Sequence, residues 1–145
     1  MKKFFLILLL AVGTRATAQT DQKEIPAIMQ ALTNYMDGGT FADSLMFSKA
    51  FSPQGQMLFM RNDTLRIVSL KDFMAGVKNT GKKTERKTRI DNVQVFGNAA
   101  QAKLTIEYDT FYFHDMMSLL KTKDGWKIVA KIFYREDKPA AQSAR

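Results

Sequence analysis

Apolar side chains recur at helical spacing in the first part of the chain, as expected for one buried face of an amphipathic helix. The members of this stripe are Ile25, Ile28, Met29, Leu32, Tyr35 and Met36. Asp21 followed by Glu24 is typical of a capping box, which predicts the start of the helix there. The pair Gly38-Gly39 predicts its end, because glycine adopts the left-handed cap without a Cβ clash.

Two shorter helices are predicted after the first. Thr40 with Asp43 indicates the start of the second, and Ser52-Pro53 indicates its end. Ser69 with Asp72 indicates the start of the third. The apolar positions assigned to these two helices are Phe41, Leu45, Phe51, Leu70, Phe73, Met74 and Val77.

Strand patterns separated by turn-forming pairs occupy the rest of the chain. One hairpin is centred on Asn62-Asp63. Four further strands are predicted in meander order between residues 84 and 135, with tight turns at Gly97-Asn98 and Asp124-Gly125. Three helices and these strands predict an α+β fold.

The strands differ in how many of their faces are apolar. From Ala100 to Tyr108 apolar and polar residues alternate strictly, so one face of this strand meets water. The strands at residues 111–120 and 126–134 are apolar on both faces over much of their length. We expect the helices or a cavity to cover one face and a second subunit to cover the other, which predicts a homodimer.

The first 18 residues have the pattern of a signal peptide. Lys2 and Lys3 precede the apolar run Phe4–Val12, and Ala16-Thr17-Ala18 offers the small residues that a signal peptidase requires. An N-terminal buried helix or a membrane anchor is the alternative, but the run is too short to span a bilayer. We therefore expect cleavage after Ala18, export to the periplasm or the medium, and no stable membrane insertion afterwards.

Composition limits the class of protein. Residues 19–137 are long enough for one domain with one core, and residues 138–145 are predicted to be a disordered tail. Cleavage would lower the net charge from +8 to +5, which does not indicate a nucleic-acid partner. The basic run Lys78–Arg89 fits a solvated edge, since no aromatic residue interleaves it, with attraction to an anionic surface or glycan as the alternative.

Several segments resemble one known group. Residues 28–32 followed by Tyr35-Met36-Asp37-Gly38-Gly39, the segment Phe47–Pro53, Phe113-His114-Asp115, and residues 124–133 are similar to the group labelled "putative lumazine-binding". This group lies within the nuclear transport factor 2-like (SnoaL-like) superfamily, and the resemblance covers about residues 25–134. It implies a cone-shaped antiparallel sheet that wraps the N-terminal helix. The superfamily includes isomerases, cyclases, dehydratases and binding modules, so the resemblance does not decide activity.

No catalytic or metal-binding set is predicted. The resemblance places Ala31, Phe59 and Met116 where ketosteroid isomerases carry their catalytic side chains, and none of the three can transfer a proton. His114 is the only histidine and the chain has no cysteine, so we expect no zinc site and no cofactor.

A ligand pocket is predicted on the face of the strand that carries His114, which the resemblance assigns to the cavity. Asp115 points to the opposite face and is given a structural role. Aromatic and flexible side chains suit a small apolar or aromatic molecule. The predicted ligand-binding residues are Tyr35, Phe59, Tyr112, His114, Met116 and Trp126.

Two alternatives to this binding module stay open from the sequence. One is an isomerase- or cyclase-like enzyme that uses His114 with a tyrosine. The other is a protein-interaction module whose cavity is filled by its own side chains. The sequence names no ligand and does not decide between periplasm and medium.

Overall fold

A computed structural model of the chain describes the backbone of residues 13–139 and the side chains of residues 21–139. The predicted signal peptide therefore lies largely outside the described residues, as do residues 140–145 of the predicted tail. The elements are α1 (Gly13–Thr40), α2 (Ser44–Ala50), β1 (Phe51–Arg61), β2 (Thr64–Ser69), α3 (Leu70–Ala75), β3 (Lys87–Phe96), β4 (Ala99–Glu107), β5 (Phe111–Thr122) and β6 (Gly125–Asp137).

The six strands form one sheet in the order β2-β1-β6-β5-β4-β3. The four-strand meander β3 to β6 is confirmed, with antiparallel pairing throughout. The predicted sheet is antiparallel, and the structure adds one parallel pairing, between β1 and β6. The hairpin β1–β2 is thus attached beside the last strand of the meander.

The sheet curves around the first helix, as predicted. Helix α1 contacts both β3 and β6, which are three strand spacings, about 14 Å, apart across the sheet. The helix approaches these two strands more closely than β4 and β5, which lie between them, so the sheet bends around it. Ile28 and Leu32 are fully buried in the core between the helix and the concave face. The α+β cone expected from the resemblance is confirmed.

The predicted ends of the first helix are wrong. Helix α1 begins before Asp21, at or before Gly13, so Asp21 does not cap it. The Oδ1 atom of Asp21 instead accepts a hydrogen bond from the backbone N–H of Gly97, 3.2 Å away. Gly38-Gly39 lies inside the helix, which continues to Thr40. The left-handed conformation follows at Ala42, with φ of 49°.

The starts of the other helices are partly confirmed. Asp43, not Thr40, caps α2, with its carboxylate accepting from the backbone N–H groups of Leu45 and Met46. Ser69 caps α3 as predicted, and its hydroxyl also donates to Asp72 over 2.7 Å.

The three predicted turns are confirmed by backbone geometry. Asn62 and Asp63 both have positive φ, 49° and 55°, as a tight hairpin requires. Gly97 and Gly125 have φ of 62° and 90° in the other two turns. Lys138, assigned to the tail, is anchored: its N–H donates to the carbonyl of Thr110 and its Nζ to Glu107.

Candidate functional site

The face of β5 that lines the concave side is the one that carries Asp115, and the predicted face was wrong. Asp115 is 1% exposed, whereas Met116 is 48% exposed on the outer, convex side. Asp115 lies opposite the buried Leu104 of β4, so the pairing of the two strands sets which residues point inward. Tyr112 and His114 share the outer face with Met116.

His114 therefore does not reach the interior of the cone. Its Nε2 lies 2.7 Å from Oε2 of Glu136, and both side chains are partly exposed. The ring of Tyr112 stacks beside it at 6.0 Å. The fold does not bring His114 and a tyrosine together inside a cavity, which the alternative of an isomerase- or cyclase-like enzyme requires.

Three polar side chains meet inside the core and form a buried triad of Tyr35, Asp115 and Lys131. The Tyr35 hydroxyl donates to Oδ2 of Asp115 over 2.7 Å. Nζ of Lys131 donates to the Tyr35 oxygen over 2.8 Å and to Oδ1 of Asp115 over 3.0 Å. Each member thus contacts the other two, which compensates for the loss of water around a buried ion pair.

Burial shifts the titration of two members of the triad. Desolvation, followed by the charge of Asp115, raises the pKa of the Tyr35 phenol well above its usual value, so the phenol stays neutral. Desolvation also lowers the pKa of the Lys131 amine, although the neighbouring Asp115 carboxylate opposes this shift. The core therefore holds a neutral hydroxyl beside an amine that releases its proton more readily than an exposed lysine does.

A row of partly exposed rings continues from the triad along the concave face. Neighbouring ring centres lie 4.7 Å apart for Phe59 and Phe133, 5.4 Å for Phe133 and Phe113, and 5.2 Å for Phe113 and Phe111. Tyr108 stacks on Phe111 at 4.5 Å and completes this aromatic row. All five residues retain exposed surface, so the row has apolar area left to bind a partner of matching shape.

Cations lie against the rings of the row. Nζ of Lys131 is 4.3 Å from the centre of Phe133, and Cζ of Arg135 is 3.8 Å from the centre of Phe111. Arg86 binds the Tyr108 hydroxyl through Nη1 over 2.9 Å. These contacts fix the rings by cation–π and hydrogen-bond interactions.

Two hollows are open to solvent. One of about 130 Å³ lies at the Tyr108 end of the row and is bounded also by Arg86 and Glu107. This hollow is slightly smaller than an enclosed cavity of about 150 Å³, which holds one benzene molecule. The other, of about 480 Å³, lies on the outer face beside Phe96 and Leu120.

The predicted ligand residues are thus divided among three places. Tyr35 and Phe59 lie on the concave side, at the triad and in the aromatic row. Tyr112, His114 and Met116 lie on the outer face. Trp126 is buried against the middle of α1, where its Nε1 donates to Glu24 over 2.7 Å.

Sequence reasoning missed Asp115 and Lys131 as members of the site. Their strands are adjacent, and the pairing of Asp115 with Phe133 places Lys131 two residues away on the same face. The apolar residues of β4 offered a signal, because they mark the buried face of that strand. The pairing of β4 with β5 places Asp115 opposite one of them, Leu104, and so on the buried face. Within residues 21–139 we find no group of three or more potential ligands that could hold a metal ion.

The outer face carries exposed apolar residues that adjoin one another across four strands. Leu65 pairs with Met60, Ile132 pairs with Met116, and Tyr134 pairs with His114. The exposed members of this outer apolar patch are Met60 at 64%, Leu65 at 56%, Ile67 at 58%, Met116 at 48%, Ile132 at 50% and Tyr134 at 67%. A soluble monomer rarely exposes a contiguous apolar surface of this kind.

Comparison with known proteins places the fold in a family. The profile of the family described as "Putative lumazine-binding" matches residues 23–134. A solved NTF2-like protein of unknown function from Shewanella baltica is 29% identical, with a TM-score of 0.71, covering 82% of this chain and 97% of that one. An NTF2-like protein of unknown function from Methylobacillus flagellatus is 27% identical, with a TM-score of 0.69, covering 79% and 93%.

A more distant structure shares the fold alone. The ketosteroid isomerase-like protein from Erwinia carotovora is 13% identical, with a TM-score of 0.62, and the match covers 78% of this chain and 96% of that one. The search of curated proteins found no match. Among the described residues, no helix is long and apolar enough to cross a membrane.

Proposed function

Because this chain belongs to the family described as "Putative lumazine-binding" within the NTF2-like superfamily, we propose that it is an exported module that binds a small, flat aromatic molecule on its concave face. The observation that carries the proposal is the aromatic row. Five neighbouring rings on the inner side of a curved sheet remain partly exposed, although such rings are usually buried by the core.

The chemistry of the row favours a planar ligand with a polar edge. Offset stacking on Phe59 or Phe133 would bury the faces of an aromatic molecule. Lys131 lies against the ring of Phe133 and Arg135 against the ring of Phe111, so the row has cations that would attract a carbonyl or acidic group at the edge of the ligand. A pteridine such as lumazine, which gives the family its name, has this combination of a flat ring and carbonyl oxygens.

Binding to the row is tested by calorimetric titration of lumazine into the wild type and two variants. Phe133→Ala removes a ring from the middle of the row, and we expect it to weaken binding by about tenfold or more, since stacking contributes on the order of 1–3 kcal/mol per ring. Phe96→Ala is the matched control, because Phe96 is 70% exposed on the outer face. Equal affinity of all three proteins would reject the row as the binding site.

The outer apolar patch supports a homodimer as the working form. The proposed partner is a second copy of this chain, whose identical patch would cover the exposed residues around Ile132 through a twofold contact. Ile132→Glu places a charge at the centre of the patch and is expected to give monomers. Gln94→Glu is the control, because Gln94 is exposed on β3, at the far edge of the sheet from the patch, and this change should leave the dimer intact. Sedimentation of the two variants decides, and a monomeric wild type at high concentration would exclude this dimer.

A second candidate function, a protein-interaction module, is favoured by the buried triad, which places polar side chains of this chain in the interior of the cone. The triad satisfies its own polar atoms, and within the described residues no buried side-chain nitrogen or oxygen lacks a hydrogen-bond partner. If this candidate holds, lumazine and related aromatic molecules will not shift the melting temperature of the dimer. A shift that Phe133→Ala abolishes would instead support the small-ligand site.

A further inference from the structure

The amine of Lys131 lies at the base of the aromatic row, beside a hydroxyl and a carboxylate. We propose that Lys131 forms a reversible imine with an aromatic aldehyde or ketone seated on the row. This inference rests on the proposed function, since the carbonyl compound must first bind the rings. It goes further because it assigns a covalent reaction to Lys131, whereas a purely structural ion pair with Asp115 would give this amine no reactivity.

Nζ of Lys131 lies behind the ring that would face the ligand. The side chain of Lys131 is 9% exposed, so it is nearly enclosed by the core. Nζ is 4.3 Å from the centre of the Phe133 ring, and that ring is itself partly exposed. One aromatic ring therefore lies between the amine and a molecule on the row, and the proposed reaction requires Phe133 to rotate aside.

The surroundings of Nζ supply the groups that imine formation needs. The Tyr35 hydroxyl accepts from Nζ over 2.8 Å and donates to Asp115 over 2.7 Å, which forms a continuous path for a proton. Burial lowers the pKa of the Lys131 amine and so increases its neutral, nucleophilic fraction near neutral pH. An exposed lysine has neither feature.

The reaction balances without any further reagent. The nitrogen lone pair forms a C–N bond as the carbonyl π electrons move to oxygen, and a proton leaves the nitrogen for Asp115 through the Tyr35 hydroxyl. The same path returns that proton to the alkoxide oxygen, which gives a neutral carbinolamine. A second proton then moves from the nitrogen to the hydroxyl oxygen by the same path as the C–O bond breaks, the nitrogen lone pair forms C=N and water leaves. Two protons pass from nitrogen to oxygen in all, so one amine and one carbonyl give one imine and one water. Hydrolysis reverses each step.

The direct test is competitive labelling of the wild-type protein with benzaldehyde and cyanoborohydride at neutral pH. The hydride reduces an imine to a stable benzylamine, which peptide mass spectrometry assigns to a lysine. We expect label at Lys131 to exceed label at the exposed Lys82 and Lys83 by about tenfold or more. Label on exposed lysines with Lys131 unmodified would overturn the proposal.

Variants separate the chemistry from binding and from folding. Lys131→Arg keeps a positive charge in the core and should abolish the selective label while the protein stays folded by circular dichroism. Tyr35→Phe interrupts the proton path, so it should slow labelling of Lys131 several-fold. If labelling of Lys131 in Tyr35→Phe is as fast as in the wild type, the proposed proton path is wrong.

Benzyl alcohol has the same ring but no carbonyl, so it distinguishes the two proposals. If benzyl alcohol protects Lys131 from label, the ring site and the imine site are the same, as proposed. If lumazine binds in a Phe133-dependent manner but Lys131 stays unlabelled, the imine fails and the proposed function stands. If neither lumazine nor benzyl alcohol binds and Lys131 is not labelled, the proposed function fails as well.

Discussion

The hydroxyl of Tyr35 donates a 2.7 Å hydrogen bond to Asp115, joining the C-terminal part of the first helix to the centre of the sheet. Both residues are buried, at 5% and 1% exposure. Lys131 binds the other side of the same phenol oxygen. This arrangement fixes how the helix is rotated against the concave face, because a rotated helix would deprive the buried Asp115 and Lys131 of their hydrogen bonds to the Tyr35 hydroxyl.

Tyr35→Phe tests the contribution of this hydroxyl to stability. The change deletes two hydrogen bonds to charged groups, so we expect the free energy of unfolding to fall by about 1–3 kcal/mol. Tyr112→Phe is the matched control, since Tyr112 is partly exposed on the outer face and lies outside the outer apolar patch, and it should change stability by less than about 0.5 kcal/mol. Urea unfolding followed by circular dichroism measures both; equal effects would contradict the role given to Tyr35.

A mutant cycle at Asp115 and Lys131 tests the buried ion pair. Asp115→Leu or Lys131→Met alone leaves one buried charge without its partner, and each is expected to destabilise the protein by about 3–5 kcal/mol. The double variant removes both charges and should cost much less than the sum of the single variants. Additive losses in urea unfolding would show that the two charges do not stabilise each other.

The effect of Gly39→Ala on stability is predicted to change sign when Arg86 is replaced. A Cβ at Gly39 would meet the guanidinium of Arg86, which otherwise donates to the carbonyl of Met36 and to Thr40. Gly39→Ala is therefore expected to destabilise the wild type. In an Arg86→Met background the obstruction is gone, and the same change should stabilise the helix by up to about 1 kcal/mol. Thermal unfolding of the four proteins checks this, and destabilisation in both backgrounds would contradict it.

The acid stability of the fold is predicted to depend on Glu24. Hydrogen bonds from Lys121 and Trp126 hold the pKa of this carboxyl below its usual 4.5. A lowered folded pKa stabilises the protein above the unfolded value, and this contribution is lost as pH falls through the folded pKa. Glu24→Gln should therefore flatten the loss of melting temperature between pH 5 and pH 3, whereas Glu85→Gln, an exposed control, should not. Parallel pH profiles for Glu24→Gln and the wild type would refute this.

The fold was predicted correctly wherever a sequence pattern is compatible with only one local structure. The stripe through Ile28 and Leu32 identified the buried helix face, because only one rotation of a helix buries it. Asn62-Asp63 identified a hairpin, because both positions have the positive φ that this turn needs. The start of α1 was misplaced, because the capping pattern at Asp21 also fits a residue that binds another part of the chain, here the turn at Gly97.

The site was harder to predict, because β5 is apolar on both faces. Alternation separates His114 from Asp115 but does not say which of them points inward when Met116 and Met117 look equally suited to a core. The buried aspartate looked unsuited to the interior, because its partner Lys131 lies on the neighbouring strand. The strand register, which the sequence alone leaves open, was needed to bring the two together.

The most direct measurement of the central claim is an NMR titration of the labelled protein with lumazine. If the aromatic row is the binding site, the ring signals of Phe59, Phe113 and Phe133 shift together and saturate, while those of Phe96 and Tyr134 on the outer face stay in place. Saturating shifts confined to the outer face, or none at any ring, would contradict the claim that the concave face binds the ligand.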